Sequence, residues 1–308
     1  MATPRPTASL LRRRPPAHAL RWVTDMIGAG SRVVSVRPLP SSWLANHAIT
    51  VADRHGRHHR LVLRRWARPG WEIDDPDYTA RREAAILGLL ADTAIPAPRL
   101  VAADPDGAVC DTPALLLTRL SGHPPTPILH DQHAFLAQLA GVLPAIHAVN
   151  GRARTLIPAY RTYVQLQGLT PPAWLPPATT WHRAFELVTG PAPDTRQCFI
   201  HRDYHHHNTL WARGRLTGVV DWTQASWGPA AVDLGHMRWN LAIDYGNHAA
   251  EEFLTIHQTL TAGAVQHHPY WDILTVIDLV ATIDPADPIP NGDLARLEAY
   301  VATALRQL

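Results

Sequence analysis

The chain contains no lysine. Every fixed positive side-chain charge is therefore an arginine. Chemistry that needs a lysine amine, such as a Schiff base or a lysine phosphate clamp, is excluded. A phosphate site here has to use arginine, backbone N–H groups or a metal ion. Cysteine is nearly as scarce. Cys110 and Cys198 are the only two, too few for a disulfide framework, and buried thiols in a reducing compartment are the simplest expectation. Long apolar runs are missing too, since Ala114–Leu117 and Ile273–Val280 are too short or too interrupted to cross a bilayer. Arg12, Arg13 and Arg14 are followed by Pro15 and Pro16 rather than by an apolar stretch, which argues against a signal peptide. The net charge of +2 is too small for a nucleic-acid binder. These absences point to a soluble cytoplasmic protein, a monomer or a homodimer, with neither nucleic acid nor membrane as partner.

What is present is enough for a real core. The 308 residues are 46% apolar, which suits one large or two modest domains. Residues 1–30 read as a Pro- and Arg-rich loose arm followed by a short helix over Ala17–Ile27. Residues 31–120 read as strands with one helix. VVSVRPL comes first, then AITVAD and RLVLRR around a turn at Gly56, then a helix over Ala80–Leu90, then RLVAAD and PALLLTRL. Residues 121–308 are mainly helical. Apolar spacing predicts helices over Gln132–Val149, Thr180–Val188, Ala230–Ile243, Ala249–Ala262, Ile273–Thr282 and Leu294–Gln307.

The densest cluster of chemistry-bearing residues is HRDYHHHN, 201–208, followed by TLWARGRLTGVVDW. Gly214-Arg215 flanked by two apolar arms reads as a hairpin turn. With that turn Arg213 pairs with Leu216, and counting outward sets Asn208 opposite Asp221. A carboxylate and an amide carbonyl are oxygen ligands of the kind a magnesium ion prefers. Asp203 then faces the same place, suited to hold and partly deprotonate an attacking hydroxyl. Taken singly, each of these residues is also compatible with a cap or turn role.

The spacing H-R-D-x-x-x-x-N is that of a protein-kinase catalytic loop. HRDYHHHNTLWARGRLTGVVDW followed by GPAAVDLG resembles more closely the core of the aminoglycoside phosphotransferase and choline kinase-like family. The resemblance implies an α+β, bilobal, protein-kinase-like fold, with a small antiparallel-sheet lobe carrying one helix and a larger helical lobe. It implies an O-phosphotransferase acting on a small-molecule hydroxyl acceptor, with ATP or GTP and magnesium. Carried over, Asp203 is the catalytic base and His201 the histidine that packs and orients its loop. Asn208 and Asp221 are the magnesium ligands, and Asp233 is the buried carboxylate bracing the loop. Upstream, RLVLRRW resembles the strand with the phosphate clamp, Arg64 standing where a lysine is usual, and Glu83 resembles its partner on the lobe helix. LLLTRLSG resembles the adenine-holding hinge, around Thr118 and Leu120, and LAGVLPAIHAV the helix that ends in a Leu-His pair, here Ile146-His147.

Arg202 replaces the glycine usual in that family between His and Asp, and Trp222 with no later Ala-Pro-Glu argues against a protein kinase. PSSWLANH lacks glycine. Ser41, Ser42 and Asn46 either touch phosphate there or belong to a plain surface turn. Two other readings stay open. One is a metal-dependent hydrolase built on His201, His205, His206 and His207, although consecutive histidines point apart and rarely ligate one ion. The other is a catalytically inactive, nucleotide-binding pseudokinase. For the acceptor, Asp244, Glu251, Glu252, Asp272 and Asp278 with Trp239, Tyr245 and Trp271 suit a cation such as an aminoglycoside, or else form a solvated helix face.

Overall fold

A computed structural model of the chain describes residues 8–41, 43–68, 70, 77–126, 131–150, 157–265 and 267–308. It divides into two units, and the first takes in two short stretches from later in the chain. The first holds 1–121 with 155–157 and 218–224; the second holds 122–154, 158–217 and 225–308. No helix among the described residues is long and apolar enough to cross a membrane.

The first unit is built on an antiparallel sheet of β1 (Arg32–Pro38), β2 (Ala45–Ala52), β3 (His58–Arg65), β4 (Leu100–Asp104) and β5 (Ala114–Thr118), in the order β1-β2-β3-β5-β4. The β2–β3 turn pairs Ala52 with His58, around Gly56 at φ +78°, a conformation glycine adopts without steric cost. Strand alternation sorts the side chains. Leu61 and Leu63 join Ile49, Val51 and Leu116 in a core with Ala19, Trp22 and Val23 of α2 (Ala17–Ile27), while Arg64, one residue on, belongs to the other face. Helix α3 (Ala80–Leu90) starts at Thr79, whose hydroxyl accepts from the Arg82 amide at 3.1 Å. Within the stretch expected as a loose arm, Ala8–Arg12 form a short helix, α1. Leu11 is buried there.

The second unit contains α4 (Gln132–His147), α5 (Thr179–Thr189), α6 (Ala230–Tyr245), α7 (Asn247–Leu260), α8 (Pro269–Val280) and α9 (Asn291–Arg306). Helix α6 is central, packed by α7, α8 and α9. Its Gly235 lets α8 approach: a Cβ there would stand 2.7 Å from the Trp271 carbonyl oxygen. Strand β6 (Gln197–Ile200) pairs antiparallel with β9 (Ser226–Pro229) and delivers the chain to His201. After a 3-10 turn over His206–Asn208 comes the hairpin of β7 (Thr209–Ala212) and β8 (Arg215–Val219). Its turn is Arg213-Gly214, both at positive φ (+53° and +72°). That corrects the Gly214-Arg215 turn read from the sequence. A two-residue turn of this hand needs φ > 0 at both positions; the earlier placement put glycine first, whereas it stands second. The counted pairings Arg213–Leu216 and Asn208–Asp221 therefore do not hold.

Candidate active site

In the second unit the site is a loop held from below by one carboxylate. Asp233, fully buried in the first turn of α6, accepts the backbone amide of His201 at 3.0 Å and that of Arg202 at 2.7 Å. The Nε2 of His147, the last residue of α4, lies 3.0 Å from Asp233 Oδ2, the oxygen that also accepts from His201. His201 is itself buried, edge-on to Tyr204 with ring centroids 5.9 Å apart. Arg202 sits at φ +69°, where the fixed amide points at Asp233.

The loop presents Asp203. Asn208 Nδ2 donates to Asp203 Oδ2 at 2.8 Å and to its backbone carbonyl at 3.0 Å. Two imidazoles flank the other oxygen, His236 Nε2 at 3.1 Å and His205 Nε2 at 3.6 Å from Oδ1. Burial works to raise the Asp203 pKa, but these histidines more than offset it and leave the carboxyl well below its usual range. It is an ionised acceptor at neutral pH. His236 escaped the sequence reading, although it lies three residues after Asp233 on the same helical face, a spacing that could have flagged it.

In the first unit the centre is Arg64. Its Nε lies 2.8 Å from Oε2 of Glu83, and its Nη2 donates to Asp221 Oδ1 and, at 2.7 Å, to Thr223 Oγ1. Thr223 in turn donates to Asp221 Oδ1 at 3.2 Å. Asp221 adopts φ +65°. Glu83 is 2% exposed and its pKa is pushed up by burial, against the pull of Arg64. A planar fork thus meets two carboxylates at once, a geometry a lysine ammonium does not reproduce. Thr223 was not singled out in the sequence, and its only signal was its place two residues after Asp221.

Thr118 and Leu120, read from the sequence as the hinge, lie in the same unit. Thr118 ends β5, and its hydroxyl accepts from the Arg99 amide at 2.9 Å. Leu120 presses on Gly218, where a Cβ would stand 2.5 Å from Leu120 Cδ1. Ser41 Oγ accepts from the Leu44 amide at 3.2 Å, the bond of a turn former. Ser42 lies outside the described residues.

Asn208 and Asp221 each offer oxygen, the donor type a hard divalent cation takes. Asn208 commits its amide nitrogen to Asp203, so its carbonyl oxygen takes no part in that contact. Asp221 commits Oδ1 to Arg64 and Thr223 and keeps Oδ2. The carboxylates singled out for a cationic acceptor are otherwise engaged. Asp244 meets His206 and His207 at 2.7 and 2.8 Å. Glu251 meets Arg238 at 2.6 Å, and Glu252 meets Gln132 and His133 at 3.0 and 2.8 Å. Asp272 meets Arg238, and His267 at 2.8 Å. Asp278 accepts from the Tyr163 amide at 2.6 Å.

A family model described as the phosphotransferase enzyme family matches residues 35–272. No curated protein matches the chain. Among solved structures, a candidate aminoglycoside phosphotransferase from Ralstonia eutropha JMP134 aligns with a TM-score of 0.62 at 14% identity, covering 95% of this chain and 99% of that one. Macrolide 2'-phosphotransferase MphH from Brachybacterium faecium aligns with a TM-score of 0.57 at 18% identity, covering 94% and 98%. APH(2")-IIa in complex with gentamicin aligns with a TM-score of 0.57 at 15% identity, covering 96% and 97%. At these identities the likeness is one of fold, and the fold class is the α+β class of the protein-kinase-like phosphotransferases. With residues 35–272 of a 308-residue chain matched, the chain belongs to the phosphotransferase enzyme family, and phosphotransfer is its reaction class.

Proposed function

We propose that the protein transfers the γ-phosphoryl group of ATP or GTP to a hydroxyl of a small molecule, with Asp203 as the residue that receives and orients that hydroxyl. The observation that carries the reading is the fixing of one ionised carboxylate by Asn208 on one oxygen and by His236 on the other. A carboxylate so acidic is a weak base in the ground state. Phosphoryl transfer asks little of it early, because bond formation lags in a loose transition state and positioning dominates. Asp203 aims the hydroxyl and takes its proton late. Asp233 holds the loop backbone, and His201 packs under it.

Asn208 and Asp221 would hold magnesium, which when bound neutralises charge on the phosphate oxygens. Arg64, braced by Glu83, supplies the positive charge that the missing lysine cannot, and the hinge around Thr118 and Leu120 receives the base. Ser41 contributes as a turn former next to that site rather than as a side-chain ligand. With Asp244, Glu251, Glu252, Asp272 and Asp278 engaged by their own neighbours, we favour an acceptor of low positive charge over a polyamine.

The test is a mass-shift screen for phosphate transfer from ATP and from GTP to hydroxylated compounds, including macrolides, aminoglycosides, amino alcohols and sugars. Asp203→Asn should lose at least about a hundredfold in kcat, as removal of a positioned acid–base group does, while nucleotide affinity stays within twofold to threefold of parental by ~0.5 kcal/mol. Parental turnover in Asp203→Asn sinks the assignment. No transfer to any compound, with nucleotide still bound, favours the pseudokinase reading.

A further inference from the structure

His206 and His207 are neighbours in sequence, and neighbours in an extended chain send their side chains apart. The 3-10 turn over His206–Asn208 does the opposite. The two rings have centroids 4.0 Å apart. Both Nε2 atoms reach a single oxygen, Oδ2 of Asp244, at 2.7 and 2.8 Å. Asp244 comes from the far end of α6. His205 turns away to Asp203, so the histidine run splits into two destinations.

Two hydrogen bonds alone would be better served by the two separate carboxylate oxygens, and exposed His207 has water as an alternative partner. Their convergence gathers three ligand atoms into one small volume, as binding a common ion requires. The three ligand atoms lie within 4.8 Å of one another. Two imidazoles and a carboxylate are the donor set of zinc-type sites, with bonds of about 2.0–2.2 Å and a fourth position left to water. Opening these 2.7 and 2.8 Å contacts to the ~3.3 Å that separates ligand atoms around such an ion asks for roughly half an ångström. His207, with its side chain 54% exposed, is free to make it.

We propose that His206, His207 and Asp244 form a binding site for a divalent transition cation of the zinc type, separate from the oxygen ligands assigned to magnesium. Its occupancy ties the four-residue spacer between Asp203 and Asn208 to the end of α6. The loop is then held from two sides, by Asp233 at its start and by the ion near its end. The site needs no assumption about the reaction.

The experiment uses the full chain, purified without a histidine tag and stripped with a chelator. Zinc is titrated by calorimetry, and cobalt is followed by its visible absorption. The expected result is one ion per chain, a cobalt spectrum with nitrogen and oxygen ligation, and a melting temperature raised by several degrees in excess zinc. His207→Ala and Asp244→Asn should each weaken zinc at least tenfold and abolish the thermal shift, and neither changes a buried apolar group. His236→Ala should leave zinc affinity unchanged. Absence of zinc binding, retained affinity in either His207→Ala or Asp244→Asn, or loss in His236→Ala overturns the proposal, the last because it places the ion on Asp203.

Discussion

Asp233 Oδ1 accepts the backbone amide of Arg202 at 2.7 Å, and Arg202 is held there at φ +69°. A left-handed backbone costs an L-residue about 1–2 kcal/mol. The arginine side chain recovers part of that by donating to the Arg161 carbonyl at 2.6 Å and stacking over Tyr163 at 3.9 Å. Arg202→Gly removes cost and gain together, so stability should change by less than about 1 kcal/mol. Asp233→Asn is different, because an amide N–H then faces groups that donate. Urea unfolding should show a loss of about 2–4 kcal/mol, with kcat down at least tenfold. An Asp233→Asn protein of parental stability would contradict the bracing role.

Arg64→Ala leaves Glu83 buried without its partner, at a cost of roughly 3–5 kcal/mol. Arg64→Lys keeps the charge but cannot reach Glu83 and Asp221 together through one planar fork. It should recover most of the stability and raise the KM for nucleotide several-fold. Denaturant titration with nucleotide KM on both variants checks this, and equal KM values in Lys and Arg forms would show that the fork is not used.

Asp278 is 5% exposed, and burial pushes its pKa up to about 6 against the pull of Arg202 and the Val164 and Tyr163 amides. The folded state therefore holds this proton more tightly than the unfolded one. The favourable contribution is fully present below pH 3.8 and is lost as pH rises through about 6, an upper bound of about 3 kcal/mol at 1.36 kcal/mol per unit. Asp278→Asn keeps an acceptor for the Tyr163 amide and removes the titration. Its stability curve should be flatter between pH 4 and 6, and at pH 8 it should match or exceed the parent. An unchanged pH profile would remove Asp278 as the titrating group.

Gly235→Ala places a Cβ 2.7 Å from the Trp271 carbonyl and 3.0 Å from Thr275 Oγ1. The backbone of α8 cannot yield as a side chain does. Overpacking of about 1–3 kcal/mol outweighs the ~1 kcal/mol helix-propensity gain. A lowered melting temperature is expected, and a raised one would mean that α6 and α8 separate freely.

Periodicity and punctuation carried most of the elements. Ala17–Ile27 and Ala80–Leu90 have the bounds that their apolar spacing and flanking Gly28 and Thr79 indicate, because local signals dominate in such segments. The β7–β8 turn slipped by one residue, since Gly214 was read as the first turn position and it is the second. The Asp233 brace was legible through its resemblance to a known loop, as was the Arg64–Glu83 pair. His236 and Thr223 were not, because each acts through a partner supplied by folding.

By itself the sequence decided what chemistry was open to this protein. Without lysine, the charge beside Glu83 had to be arginine, and the order Asp203, Asn208, Asp221, Asp233 named the family. Only the tertiary structure decided which charges are spent. Asp244, Glu251, Glu252, Asp272 and Asp278 read alike along their helices, yet each meets a partner from elsewhere in the chain or from a neighbouring turn. Helical spacing shows which residues share a face and is silent on what that face meets. The histidines of the 201–208 stretch divide in the same way, His205 toward Asp203 and His206 with His207 toward Asp244. A 3-10 turn and the end of α6 set that division.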